Sequence, residues 1–136
     1  MGKALGRHIL LELSGCPYAL LNDVEYVRKS LLEAAERAQV TIISDSFNMF
    51  NPHGVSGMVI IAESHISIHT WPEYGYAAID VFTCGDSALP ERAVEYLVEA
   101  FQPEEYTTYV VKRGILREEI PQAACEIDTR RVSCAG

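Results

Sequence analysis

Hydrophobic and polar positions along the chain follow two different periods. Residues 7–13 form an Ile- and Leu-rich run that reads as a strand, and the Ser14-Gly15-Cys16-Pro17 cluster breaks it. Across residues 22–38 the period lengthens. Val24, Val27, Leu31, Ala34, Ala35 and Ala38 recur on one helical face, which predicts an amphipathic helix. Asn22, with Glu25 three residues later, predicts a capping box at its start. The β-branched run Val40, Thr41, Ile42 and Ile43 predicts a strand over residues 40–47. Turn chemistry follows at Asn51-Pro52-His53-Gly54. Three further strands are expected at residues 55–62, 66–70 and 76–83, with Trp71-Pro72-Glu73-Tyr74-Gly75 separating the last two.

A second helix is predicted over residues 89–101. Pro90 sits in its first turn, Ala93, Val94, Leu97, Val98 and Phe101 line one face, and Pro103 stops it. Residues 107–112 read as a last strand, and from about Gly114 to residue 136 the pattern fades into a polar tail. The order strand, helix, strands, helix, strand predicts an α+β two-layer sandwich, an antiparallel or mixed sheet with both helices on one face. The strand–helix–strand pattern at each end raises a distant internal repeat only weakly.

Composition bounds the function. The 136 residues are 49% hydrophobic and 22% charged, which suits a single domain with one core. A formal net charge of −8 argues against nucleic acid or an anionic membrane as the main partner, since both require cationic side chains. No apolar run approaches the roughly 20 residues of a membrane span. Residues 1–7 lack the layout of a signal peptide, so the cytoplasm is the expected compartment. Cys16, Cys84, Cys125 and Cys134 lack C-x-x-C spacing and are expected as free thiols.

Reactive side chains crowd residues 54–84, where Ser56, Glu63, Ser64, His65, Ser67, His69 and Cys84 interrupt apolar strands. Buried polar groups are costly unless satisfied. Three readings compete. A metal site on His65 and His69 is disfavoured, because four strand residues separate them by about 13 Å. A nucleophile–base pair from Ser64 or Cys84 with a histidine is chemically open, although nothing resembles G-x-S-x-G. Satisfied core histidines and a buried thiol form the third, and would serve for any one residue taken alone.

The run Glu63-Ser64-His65-Ile66-Ser67-Ile68-His69-Thr70-Trp71-Pro72-Glu73-Tyr74, with Gly54-Val55-Ser56-Gly57 before it and Asp80-Val81-Phe82-Thr83-Cys84-Gly85 after it, resembles the signature of the prokaryotic S-adenosylmethionine decarboxylase family. The likeness extends more loosely over residues 6–101. It implies a proenzyme that cuts itself between Glu63 and Ser64 into chains 1–63 and 64–136. Ser64 attacks the Glu63 carbonyl, the peptide becomes an ester, and elimination and hydrolysis leave a pyruvoyl group where Ser64 stood. That group is the only cofactor implied, with no metal. It forms a Schiff base with the substrate amine and withdraws electrons as CO₂ departs. The resemblance gives His69 the role of base in processing, Ser56 a hydrogen bond to the ester or its precursor, and Cys84 the return of a proton to the substrate α-carbon. It points to Phe50 as a stacking residue and Glu73 on the ribose, with Trp71 and Tyr74 among the nearby aromatics; core packing remains an equal explanation for any single aromatic. The implied product is decarboxylated S-adenosylmethionine, an aminopropyl donor for spermidine, and the implied assembly is a homodimer with sites near the subunit interface.

One departure stands out. Asn48 occupies a position where the family commonly has histidine. A related pyruvoyl enzyme acting on arginine or another basic amino acid is therefore a rival reading, and a non-catalytic regulatory partner is a second.

Overall fold

The computed structural model describes residues 3–117 and 120–134. The elements run β1 (Lys3–Ser14), α1 (Tyr18–Leu21), α2 (Val24–Arg37), β2 (Ile42–Met49), β3 (Val55–Ile61), β4 (Ser64–Trp71), a 3₁₀ turn (Pro72–Tyr74), β5 (Tyr76–Cys84), α3 (Pro90–Phe101), β6 (Glu105–Arg117) and β7 (Ile120–Ser133). All seven strands join one sheet in the order β2-β3-β4-β5-β1-β6-β7, and every neighbouring pair is antiparallel. The two-layer α+β sandwich expected from the pattern is present, with α2 and α3 on one face.

Alternation along the strands decides which face is covered. Ile9, Leu11 and Leu13 of β1, Ile66 and Ile68 of β4, and Ala77, Ile79 and Val81 of β5 are buried beneath the helices. From above, Val27, Leu31, Ala34 and Ala35 of α2 and Ala93, Leu97 and Phe101 of α3 close the core. Each large aliphatic side chain removed from water there contributes about 1.5–3 kcal/mol. Gly57 belongs to this packing, because an added Cβ would fall within the Phe47 ring.

Among the described residues no layer covers the opposite sheet face. It presents Leu10, Met58, Ile60 and Trp71, each more than a third exposed, among the polar side chains of the signature segment.

Two expectations are corrected. The helix cap is Asp23, whose side chain accepts from the Tyr26 N–H at 3.0 Å, and not Asn22 with Glu25. The short α1 runs up to Leu21 and shifts the helix start by one residue, while Asn22 Oδ1 accepts from the Gly54 N–H at 3.0 Å. The stretch beyond Gly114, expected as a polar tail, is strand: β6 continues to Arg117, with Ile115 buried, and β7 pairs back along it with its described side chains from residue 126 onward mostly exposed. Among the described residues of the edge strand β7 no face is buried, and the alternation that a sequence reading depends on is missing there. Cys134 follows β7 and is an exposed free thiol, and the Cys125 side chain lies outside the described residues.

Candidate active site

Antiparallel pairing gathers the predicted residues at the two ends of β4 and its neighbouring strands. At one end, Ala62 and Glu63 make the tight turn between β3 and β4, and Ile61 pairs with Ser64. Ser64 has φ +139°, a backbone region that essentially only glycine adopts without strain. β5 lies alongside, with Ser64 opposite Thr83. That register lets the Cys84 N–H donate to the Glu63 carbonyl oxygen at 2.9 Å. The Glu63 carboxylate is also held, accepting from the Thr41 N–H at 3.0 Å. The carbonyl preceding Ser64 is thus polarised by a fixed donor, while the serine beside it is held in a strained conformation. Both features lower the barrier to attack on that carbonyl. The Cys84 thiol is exposed and opens onto a cavity of about 480 Å³ lined by Gly6, Arg7, Thr83 and Lys112 among others.

The other end collects the remaining predicted residues. Ser56 lies opposite His69, and its Oγ is 2.9 Å from His69 Nδ1. His69 neighbours Trp71, with ring centroids 6.4 Å apart, and Trp71 stacks on Tyr76 at 5.3 Å. The Tyr76 hydroxyl is half-buried and donates to Glu12; burial first and that bond second push its pKa up to about 12. Phe50 is 52% exposed, and its N–H donates to the Gly54 carbonyl at 2.8 Å. Thr70 braces this end from below: its Oγ1 accepts from the Val55 N–H at 2.8 Å and donates to the Leu21 carbonyl at 2.9 Å. Glu73, in the 3₁₀ turn, meets His53 Nε2 at 3.0 Å. The turn closes on Gly75 at φ +62°, where an added Cβ would lie 3.2 Å from the Cys16 carbonyl.

The structure therefore brings Glu63, Ser64 and Cys84 together, and Ser56, His69 and Trp71 together, but it does not join the two groups within one chain. Ser64 and His69 lie five residues apart on the same strand, about 17 Å at strand rise. Direct proton transfer needs about 3 Å.

Between the two ends lies a cluster that the sequence reading missed. Asp80 Oδ2 meets His8 Nε2 at 2.6 Å and His65 Nε2 at 2.9 Å, and Asp80 Oδ1 accepts from the Ser67 hydroxyl. Burial works against the Asp80 charge, but the bonds from Ser67, His8 and His65 outweigh it and hold the carboxyl below its ordinary range. The available signal was a lone acid at an alternate position of an apolar strand. Its partner His8 is 72 residues away, beyond any local pattern. His65 thus belongs with His8 and Asp80, and not with His69.

Fold and site together define a two-layer α+β protein whose sheet has one uncovered face and a strained serine turn at the start of β4. Known proteins make the assignment specific. The sequence model of S-adenosylmethionine decarboxylase matches residues 7–114. The S-adenosylmethionine decarboxylase proenzyme of Thermodesulfovibrio yellowstonii is 50% identical over 125 residues, covering 90% of this chain and 93% of that protein. The proenzyme of the same name from Acidithiobacillus ferrooxidans is 53% identical over 112 residues, covering 82% and 84%. The crystal structure of the adenosylmethionine decarboxylase from Aquifex aeolicus superposes with a TM-score of 0.81 at 44% identity, over 88% of this chain and 99% of that one. The chain belongs to the S-adenosylmethionine decarboxylase family.

Proposed function

We propose that this chain is a self-processing decarboxylase that cuts itself at Glu63–Ser64 and acts on S-adenosylmethionine, releasing CO₂ and the aminopropyl donor of polyamine synthesis. The observation that carries the reading is the pairing of a strained Ser64 with a Glu63 carbonyl already bonded by the Cys84 N–H. Ser64 Oγ adds to that carbonyl carbon and gives up its proton. The negative oxygen that develops is stabilised by the same N–H. The C–N bond then breaks and the amine takes a proton, leaving an ester. Loss of the Ser64 α-proton expels the Glu63 carboxylate, and hydrolysis of the remaining unsaturated residue releases ammonia and leaves a ketone at the new terminus. That pyruvoyl carbonyl supplies an electron sink for the carbon that loses CO₂.

This chain's own groups do the rest. The exposed Cys84 thiol, on the cavity wall and one residue beyond the Thr83 that pairs with Ser64, hands a proton to the substrate carbon in this reading. Phe50 and Trp71 offer aromatic faces for adenine and the sulfonium cation, each good contact worth about 0.5–2 kcal/mol. Glu73 offers a carboxylate for the ribose hydroxyls, oriented by His53.

His69 and Ser56 reach Ser64 only across a second copy. A two-fold axis between two uncovered faces, crossing the strands near Ser67, reverses strand direction and sets the Ser64 end of one chain over the His69 end of the other. The exposed Leu10, Met58, Ile60 and Trp71 are the apolar surface that such stacking would bury. His69 of the partner subunit is then the base for Ser64.

A mass spectrum of the purified protein tests the reading. The expected result is two fragments, 1–63 and 64–136, the second lacking an amino-terminal amine, with CO₂ released from S-adenosylmethionine and not from arginine. A chain that remains whole while CO₂ is still released would overturn it.

A further inference from the structure

The cluster around Asp80 is built from four strands. Asp80 lies on β5, His65 and Ser67 on β4, and His8 on β1, while Arg113 on β6 approaches His8 Nδ1 at 3.3 Å. The arginine decides the tautomer. A guanidinium only donates, so His8 Nδ1 must accept, and His8 Nε2 must carry the proton it gives to Asp80. The arrangement also argues against a metal ion here, although the three ligand atoms of His8, His65 and Asp80 lie within 4.8 Å of one another. His8 Nε2 is occupied by its own proton, and a guanidinium stands against the same ring.

Between His8 and His65 on the same sheet face is Phe82, the ladder partner of both. Its ring lies 4.8 Å from that of His8 and 5.8 Å from that of His65, with the Arg113 guanidinium 4.8 Å from its centre. Phe82 is opposite His65 in the ladder and two residues before Cys84. The network therefore clamps the residue that follows Ser64 to the strand that carries both Cys84 and the donor to the Glu63 carbonyl.

We propose that Asp80 is a positioning residue for self-cleavage: its carboxylate locks His65 to β5 and β1, and so holds Ser64 in register with Cys84 before and after the bond is cut. The proposal rests on the self-cleavage reading and adds a component to it. Cutting removes the covalent constraint on residue 64 from the β3 side. What then holds the new terminus in place is the β4 ladder and this side-chain clamp. A carboxylate suits the task because one oxygen accepts from two imidazoles while the other accepts from Ser67.

The test is the rate of Glu63–Ser64 cleavage in freshly translated full-length chain, followed by mass spectrometry for wild type, Asp80→Ala, Asp80→Asn, His65→Gln and the double variant Asp80→Asn/His65→Gln, with a melting curve for each. Asp80→Ala is expected to slow cleavage on the order of 100-fold, the effect of a misplacement near 1 Å. Asp80→Asn is expected to slow it less, because the amide oxygen still accepts from the imidazoles. The double variant should cleave no more slowly than its slower parent, since both substitutions break one unit. In the matured fraction the kcat for S-adenosylmethionine should fall with KM unchanged, because the clamp fixes the reacting end and not the nucleoside site. If Asp80→Ala does not fold, the Asp80→Asn and His65→Gln cycle decides alone. Cleavage of folded Asp80→Ala at the wild-type rate, or losses that simply multiply in the double variant, would overturn the assignment. A wild-type chain that never cuts would instead remove the underlying reading and the clamp's role with it.

Discussion

The separation of Ser64 from His69 can be put to a quantitative test by mixing two inactive chains. Ser64→Ala removes the nucleophile but leaves His69 in place, whereas His69→Ala keeps the nucleophile and loses the base. At about 3.3 Å per residue, five strand residues leave about 17 Å between the two positions, against the roughly 3 Å that proton transfer requires. No rotamer closes such a gap, so each variant expressed alone should stay uncut. In a two-fold dimer formed from equal amounts of the two chains, random assortment makes about half of the dimers mixed. A mixed dimer has one site with both Ser64 and His69 and one site with neither. About half of the His69→Ala chains should therefore be cut, and CO₂ release should reach about a quarter of the wild-type value. The assay is co-expression of the two chains with tags of different mass, followed by mass spectrometry of each chain and CO₂ trapping from labelled S-adenosylmethionine. Cleavage of His69→Ala on its own, or no cleavage in purified mixed dimers, would refute the shared-site argument.

Three further outcomes are expected. Cys84→Ala should still cut itself, because the donor to the Glu63 carbonyl is a backbone N–H that alanine retains. Its CO₂ release should nevertheless fall about 100- to 10,000-fold, the range for losing a general acid, and undiminished release would remove the thiol from that role. Cys16 is 6% exposed and burial pushes its thiol up to about 12, so an alkylating reagent at pH 8 should label Cys84 and Cys134 in the folded protein and spare Cys16 until it is denatured. Asp80 is held below its ordinary range, so the stability it adds is fully present above the unfolded carboxyl pKa of about 3.9 and is lost as pH falls through the folded value. The melting temperature of Asp80→Asn should thus lie below wild type near neutrality, and the difference should shrink below about pH 4. A difference that stays constant into strong acid would count against an ionised Asp80.

Much of the architecture could be read locally. A repeat of Val27, Leu31, Ala34 and Ala35 on one helical face, or of Ile66 and Ile68 on one strand face, shows burial within a few residues of itself, because backbone geometry alone sets those periods. The signature around Ser64 was legible for a similar reason: its reactive residues stand close together in the chain. Errors fell where local patterns compete or vanish. Asn22 and Asp23 are both good caps, and only the Gly54 turn, 32 residues away, decides between them. The described side chains of β7, from residue 126 onward, show no buried face, so no alternation there marks it as strand.

Taken by itself, then, the sequence determined the elements other than α1 and β7, the two-layer class and the reactive segment, since each follows from neighbours along the chain. Tertiary structure alone decided the strand order that sets β1 between β5 and β6, and with it the meeting of His8, His65 and Asp80. It also decided that Ser64 and His69, close in sequence, stand at opposite ends of one strand. Extended backbone converts five residues into a distance that chemistry cannot cross, while hydrogen bonding between strands brings residues 72 positions apart into contact.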